Sequence, residues 1–500
     1  MPVPKRHATT IPLAVPAPGV VKSSGWRQLG TRGVRAGYLV IARCSYLASS
    51  FLLFVVLVRL LPRAELDLLA LGLSWLVVLS VGYDFGLNEY FVRLLADHED
   101  SAGERLPAAL VTKFALMLAV TAVFAAITGL LYRGEHRFLL LAATVAAAGA
   151  RSLCDFAESA LIAVGELRSV CLFALAQAAL TLLGGLAVAR WVAAEAAPVL
   201  FAQAILCGLL VVPRLVKLGC NRLTSAHVWV ALRASPALLR RSAPFGVMSI
   251  AASLSVAAPV IVMSLLPNLT TGMAPMQAAQ RLWTTALALG QGPYTRLYAA
   301  FSRQALRQDE ARWPRLAAEA LLTYNVVAAA ICIGTVLVGP ALIGLIFTKR
   351  LPETAPLFTW LAACLPFVLT ALVPGAWLLS RHGERPKMMV VGAACLMLWS
   401  ILFVLGRHVT PANLVGLVSA VWILQSVAML WAARRLKGMR PPWFAALLCP
   451  AASSSVVLGS LVGNGYVSMV AAVVVVGCLW LSWRQLLARG SYAPAEPVEV

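Results

Sequence analysis

Arg281 is the residue whose setting most limits what this chain does. It lies about one third of the way into the stretch from Thr271 to Gln304, TGMAPMQAAQRLWTTALALGQGPYTRLYAAFSRQ, which is long enough to span a bilayer. An arginine at membrane depth costs from about 3 kcal/mol on insertion scales to far more in simulations, so it faces a protein interior or a watery cavity. Its guanidinium then has two uses. It pairs with an acid on another helix and fixes packing, or it offers a planar fork of donors to an anion such as a phosphate. Gln280 and Trp283 flank it, and Gln291, Tyr294 and Arg296 follow. The rings of Trp283 and Tyr294 are able to stack on a flat apolar face, although aromatic residues near helix ends usually serve as interface anchors. Pro275 and Pro293 bracket the segment where a helix starts, kinks or ends. Together these residues suggest a transport path.

Three further cations fall inside apolar runs: Arg43, near Ser45 and Tyr46, Lys113, and Arg151. Any two that share a cavity with Arg281 would form a diphosphate site. Arg43 also reads as a charge at a helix end, and Lys113 reads chiefly as that. Arg151, Asp155 and Glu158 are spaced i, i+4 and i+7, which puts them on one helix face. Arg151 and Asp155 can pair along the helix, leaving Glu158 for another partner or for a proton. That face is a cavity wall with an ion- or proton-coupling role for Asp155 and Glu158, or a charge network that holds the helices together. Asp84, Asn88, Glu89 and Arg93 close the second apolar run, where charges are cheap, and their expected role is structural.

The elements that must position these residues are set by composition. Of 500 residues, 61% are hydrophobic and only 12% charged, with a mean hydropathy of +0.84, far from the roughly 25% charge of soluble domains. The chain therefore reads as an all-α polytopic membrane protein with about 14 transmembrane helices. A net charge of +21 suggests nucleic acid in a soluble protein, but here Lys and Arg concentrate in alternate loops, as membrane topology demands, so nucleic acid is excluded as a partner. The same bias predicts that both termini are cytoplasmic.

Six segments follow. Residues 1–35 are basic and proline-rich and read as a disordered cytoplasmic tail. Residues 36–213 form an N-terminal helical lobe, 214–243 a basic amphipathic cytoplasmic linker, and 244–435 a C-terminal helical lobe. Residues 436–485 hold two extra helices, and 486–500 are a C-terminal tail. The second span of each lobe ends similarly, in NEYFVRLLADHED and TRLYAAFSRQALRQDE, a weak internal repeat. Repeated bundles place a substrate path between them near the bilayer midplane.

Enzyme signatures are missing. The chain has no phosphate-binding loop, no HExxH, no G-x-S-x-G elbow, and no Cys/His cluster at metal spacing among its ten cysteines. No catalytic residue, metal or cofactor is expected. A polysaccharide polymerase or ligase would also be polytopic and basic, but it would need a large outer loop that this chain lacks.

The patches LLRRSAPFGVMSIAASL (238–254), AAQRL (278–282), FSRQALRQD (301–309) and DFGLNEYFVR (84–93) resemble oligosaccharide flippases of the Wzx type. Those belong to the superfamily shared with multidrug exporters of the MATE type and the lipid II flippase. The resemblance runs over roughly residues 36–435. It departs where Gly272-Met273-Ala274-Pro275 replaces the Gly-Tyr usual before the arginine. It implies a V-shaped pair of six-helix lobes with two C-terminal helices, and alternating access to a cationic cavity. It implies transfer of a polyprenyl-diphosphate-linked oligosaccharide to the outer leaflet of the cytoplasmic (inner) membrane, by a monomer that works beside a polysaccharide polymerase and export machinery. The alternative within the superfamily is an ion-coupled multidrug exporter, but exporters of cationic drugs need acidic cavities, whereas arginine is offered here.

Overall fold

The computed structural model describes residues 25–88, 102–132, 135–163, 166–217, 225–307, 313–347, 350–381, 383–405, 410–437, 439, 444–461, 470–471, 473–480 and 484. Among them there is no strand. The first lobe comprises α1 (Gly25–Leu60), α2 (Arg63–Asp84), α3 (Ala102–Leu131), α4 (Glu135–Ala163), α5 (Leu167–Trp191) and α6 (Ala196–Lys217). The second comprises α7 (Ser225–Leu265), α8 (Met273–Arg307), α9 (Trp313–Leu337), the short α10 (Gly339–Phe347), α11 (Thr354–Ser380), α12 (Glu384–Leu405) and α13 (Pro411–Lys437). A 3-10 turn, Pro267–Gly272, joins α7 to α8, and a π-helical turn, Phe444–Leu448, leads into α14 (Cys449–Leu461).

Ten of these helices are long and apolar enough to cross a membrane. The protein is thus an all-α polytopic membrane protein. α8 is the least apolar of the long helices, because Gln277, Gln280, Arg281, Thr284 and Thr285 dilute its hydropathy. The helix that carries the suspected site is the one least suited to lipid.

Within the first lobe α1 packs on α5, α4 on α6 and on α2. Within the second, α11 is central, touching α8, α9, α13 and α14, while α12 packs on α7 and α13. The lobes meet where α7 lies against α2 and α3, and where α8 and α10 reach α1 and α2.

Several expected segment boundaries fall inside helices. α1 begins at Gly25, within the segment expected to be a disordered tail. α6 runs on to Lys217, and α7 is continuous from Ser225, so much of the expected linker is helical. At 1.5 Å per residue the 41 residues of α7 extend about 60 Å, twice the roughly 30 Å hydrocarbon core. Pro236, Pro244 and Pro259 lie inside it, and each removes one backbone donor. α8 runs through Pro275 and Pro293 without a break.

Candidate functional site between the lobes

A cavity of about 230 Å³ lies between the two lobes, lined from α1, α2, α5, α6, α7 and α8. α8 contributes Gln277, Gln280, Arg281, Thr284 and Thr285, spaced i, i+3, i+4, i+7 and i+8, a polar stripe on one helix face. α1 contributes Tyr46, Ser50 and Phe54, spaced i, i+4 and i+8. Arg281 bridges the stripes. Its Nη1 donates to both the backbone carbonyl and the Oγ of Ser50, each at 2.8 Å, and its guanidinium lies 4.8 Å from the Phe54 ring centroid.

No acid pairs with Arg281 among the described residues, and its Nε is buried without a partner. Among the described residues, then, the arginine is held by α1 and is not half of an ion pair. Neutral acceptors solvate the guanidinium on one side only. It is also the one charged side chain among the described lining residues.

Around it the other lobe contacts are neutral. Gln280 Nε2 donates to the Val256 carbonyl at 2.6 Å, three residues before Pro259 of α7. Gln277 Oε1 lies 3.1 Å from Ser74 Oγ of α2, a hydrogen bond that crosses the lobes. Gln203 and Thr181 line the first-lobe side.

Other candidates fall elsewhere. Arg151 does pair with Asp155, its Nε donating at 3.0 and 3.2 Å, and its guanidinium stacks 3.6 Å from the centroid of Tyr46. Arg151 thus stands behind the cavity wall, with Tyr46 and Ser50 between it and Arg281 along α1. Glu158 is half-buried on the same helix and is not among the lining residues. Trp283 does not face the cavity. It is 3% exposed and stacks on Trp422 at 4.6 Å, inside the second lobe, because it lies off the polar stripe of α8. Tyr294 is packed against the core, with Lys387 Nζ 6.0 Å from its ring centroid, and also lies outside the cavity. Arg43 lies in α1 and Gln291 in α8, but their side chains fall outside the described ones.

Lys113 is not a solvated helix-end charge. Its side chain is fully buried, and Nζ lies 3.2 Å from Asp84 Oδ1 and 3.3 Å from Asn88 Oδ1. Nothing in the spacing of positions 84 and 113 announces this pair, since it forms only when α2 and α3 dock. The sequence likewise did not single out Ser50, Gln277 or Thr284. The polar periodicity of α8 was the available signal for two of them.

No protein-family model matches the sequence, and no curated protein matches it at a significant level. Solved structures do match. The inward closed conformation of the lipid II flippase MurJ superposes with a TM-score of 0.67 at 12% identity, over 91% of this chain and 99% of that one. An inward-facing multidrug resistance MATE transporter of the MOP superfamily gives 0.61 at 12% identity, over 80% and 97%. A MOP superfamily transporter from Pyrococcus furiosus, described by the reversed polarity of its binding pocket, gives 0.58 at 15% identity, over 81% and 95%. The chain shares the fold of these structures. At these identities the likeness shows the fold and leaves the cargo to be argued from the cavity.

Proposed function

We propose that the chain is a flippase that moves a polyprenyl-diphosphate-linked oligosaccharide from the cytoplasmic to the outer leaflet of the inner membrane, by alternating access of the two lobes to the cavity at Arg281. The observation that supports this most is the state of the guanidinium. It is held half-buried between the lobes, bonded to neutral acceptors on one side and unmatched by any acid among the described residues. A diphosphate that leaves water needs replacement donors, and a fixed guanidinium supplies them in bidentate form. A cationic drug would meet repulsion at the same point, which disfavours the exporter. The cavity, at about 230 Å³, is smaller than the 300–1,000 Å³ of drug-sized pockets, so it holds the diphosphate and the sugar next to it while the lipid tail stays in the bilayer.

A membrane potential negative inside favours outward movement of each anionic charge by roughly 2.3 kcal/mol per 100 mV. The potential gives direction, and Arg281 supplies the site. The protein works as a transporter without bond chemistry, as a monomer with both termini in the cytoplasm, alongside polymerase and export machinery. The test is export of cell-surface polysaccharide together with protein abundance in the membrane. Arg281→Lys keeps the charge but loses the fork, so partial export is expected, and Arg281→Ala should export almost none. Normal export by a well-inserted Arg281→Ala protein would overturn the reading.

A further inference from the structure

The cavity lining points beyond a diphosphate to the sugar attached to it. We infer that the cavity selects lipid diphosphates whose first sugar is neutral and rejects those whose first sugar is a uronic acid. The inference rests on the flippase reading above and adds the selectivity of the same site.

The argument is one of charge accounting in a small space. Among the described lining residues Arg281 is the only charge, and the remaining polar groups are amides and hydroxyls, among them Gln203, Gln277, Ser74, Thr181 and Thr284. Amides and hydroxyls both donate and accept, which matches the hydroxyl groups of a hexose. The diphosphate takes up the single guanidinium. A carboxylate on the adjoining sugar would enter the same 230 Å³ with no second cation among the described lining residues to meet it. Burying an unpaired carboxylate is costly, whereas a hydroxymethyl group in its place needs only a hydrogen bond. Arg151, which stacks on the lining residue Tyr46, is already committed to Asp155 and lies behind that ring. Gln277 and Gln203 are the determinants the geometry offers, one from each lobe.

The test uses the purified full chain in liposomes containing polyprenyl diphosphate that bears either one hexose or the matching hexuronic acid, which differ only at C6. Membrane-impermeant periodate cleaves vicinal diols in both, so loss or gain of protection reads movement between leaflets. The wild type should move the hexose lipid at least about tenfold faster than the hexuronic lipid. Gln277→Lys and Gln203→Lys each place an ammonium beside the carboxylate, and at least one should raise hexuronic movement and narrow the ratio by about tenfold. Equal wild-type rates for the two lipids would overturn the selectivity and leave the flippase reading standing. A ratio unchanged in two monodisperse Lys variants would do the same for the assigned determinants. If neither lipid is moved by protein that is monodisperse in the liposomes, the flippase reading itself fails and the selectivity falls with it.

Discussion

The two lobes touch at both ends of the cavity, and the two ends are built on opposite principles. At one end the contact is backbone on backbone. α2 stops at Phe85 and Gly86, both at positive φ, 43° and 72°, and their turn abuts Phe245 and Gly246 of α7. A Cβ on Gly246 would stand 2.6 Å from the Phe85 carbonyl oxygen, and one on Gly86 would stand 2.7 Å from the Gly246 nitrogen. At the other end the contact is made by long side chains reaching backbone groups. Arg63 donates to the carbonyls of Arg350 at 2.7 Å and Thr271 at 2.8 Å, Arg350 donates to those of Val58 and Leu61, and Asp67 accepts the Ala274 N–H at 2.8 Å. The glycine end tolerates no added atom, whereas the arginine end is a set of separable bonds. In the alternating-access cycle proposed above, the second end can be tuned bond by bond, whereas the first only closes or fails to close.

That contrast is sharpest at Gly246. Gly246→Val puts a branched side chain where even one carbon clashes with backbone, so the glycine end should stay open and transport should fall to background. A cysteine at a cavity position such as Thr284 should then react with an impermeant reagent from the glycine side, where the same cysteine beside an intact Gly246 reacts slowly. A closed, active Gly246→Val protein would remove the distinction between the ends.

Next in size comes the brace behind the glycine contact. Asp84, one residue before the left-handed turn, accepts from the buried Lys113, and Asn88 N also donates to it at 3.2 Å. Phenylalanine in the left-handed region is strained by about 1–2 kcal/mol, and this pair holds it there. Lys113→Met strands the carboxylate and should cost about 3–5 kcal/mol of stability. The double change Lys113→Met with Asp84→Asn should recover much of that loss in thermal unfolding. A single variant as stable as the double would show that the pair braces nothing.

How far these features were legible depends on whether their cause is local. Membrane class and helical content follow from apolar composition, and the suspicion of Arg281 follows from the cost of a charge at depth, which any fold must respect. The pairing of Arg151 with Asp155 follows from one helix face. By contrast, the Asp84 pairing with Lys113 and the Gly86 contact with Gly246 arise only when separate helices dock, and nothing near those residues marks them. Trp283 misled because its neighbour Arg281 faces the cavity, yet two residues along a helix the direction has turned by about 200°. Nothing in the sequence marked α10, since its nine apolar residues are too few to span a bilayer.

At the arginine end a single change should weaken closure without abolishing it. Arg63→Ala loses two hydrogen bonds to carbonyls, each worth about 1.5–3 kcal/mol when the donor is charged and buried, and less here because the side chain is 37% exposed. Its contact with Glu353 at 3.6 Å adds little, since that carboxylate is 57% exposed. A shift of about 2 kcal/mol, or roughly thirtyfold in the population open at this end, is the expected outcome. Labelling of the same Thr284 cysteine from the arginine side should rise by that order while transport persists. No change in labelling would show that the remaining bonds already suffice.

The smallest effect belongs to Asp67, and its size separates two roles of the carboxylate. Asp67 is 7% exposed on α2, and it meets α8 at its second residue, where a free backbone N–H and the positive end of the helix dipole both favour an anion. Glu65, two residues earlier, does the same for the first residue of α6, with Ala196 N donating to its Oε2 at 2.8 Å. The N-terminal end of α2 therefore caps one helix in each lobe, but only the Asp67 contact crosses between the lobes. Asp67→Asn keeps an oxygen acceptor for Ala274 and loses the charge, so closure should weaken by about 0.3–1 kcal/mol, a few-fold rise in labelling from the arginine side. Asp67→Ala loses the acceptor too and leaves a buried N–H unmatched, which should cost about 1–3 kcal/mol. Equal effects of the two substitutions would mean that charge alone carries the contact, and the arginine end would then be an electrostatic closure in place of a directional one.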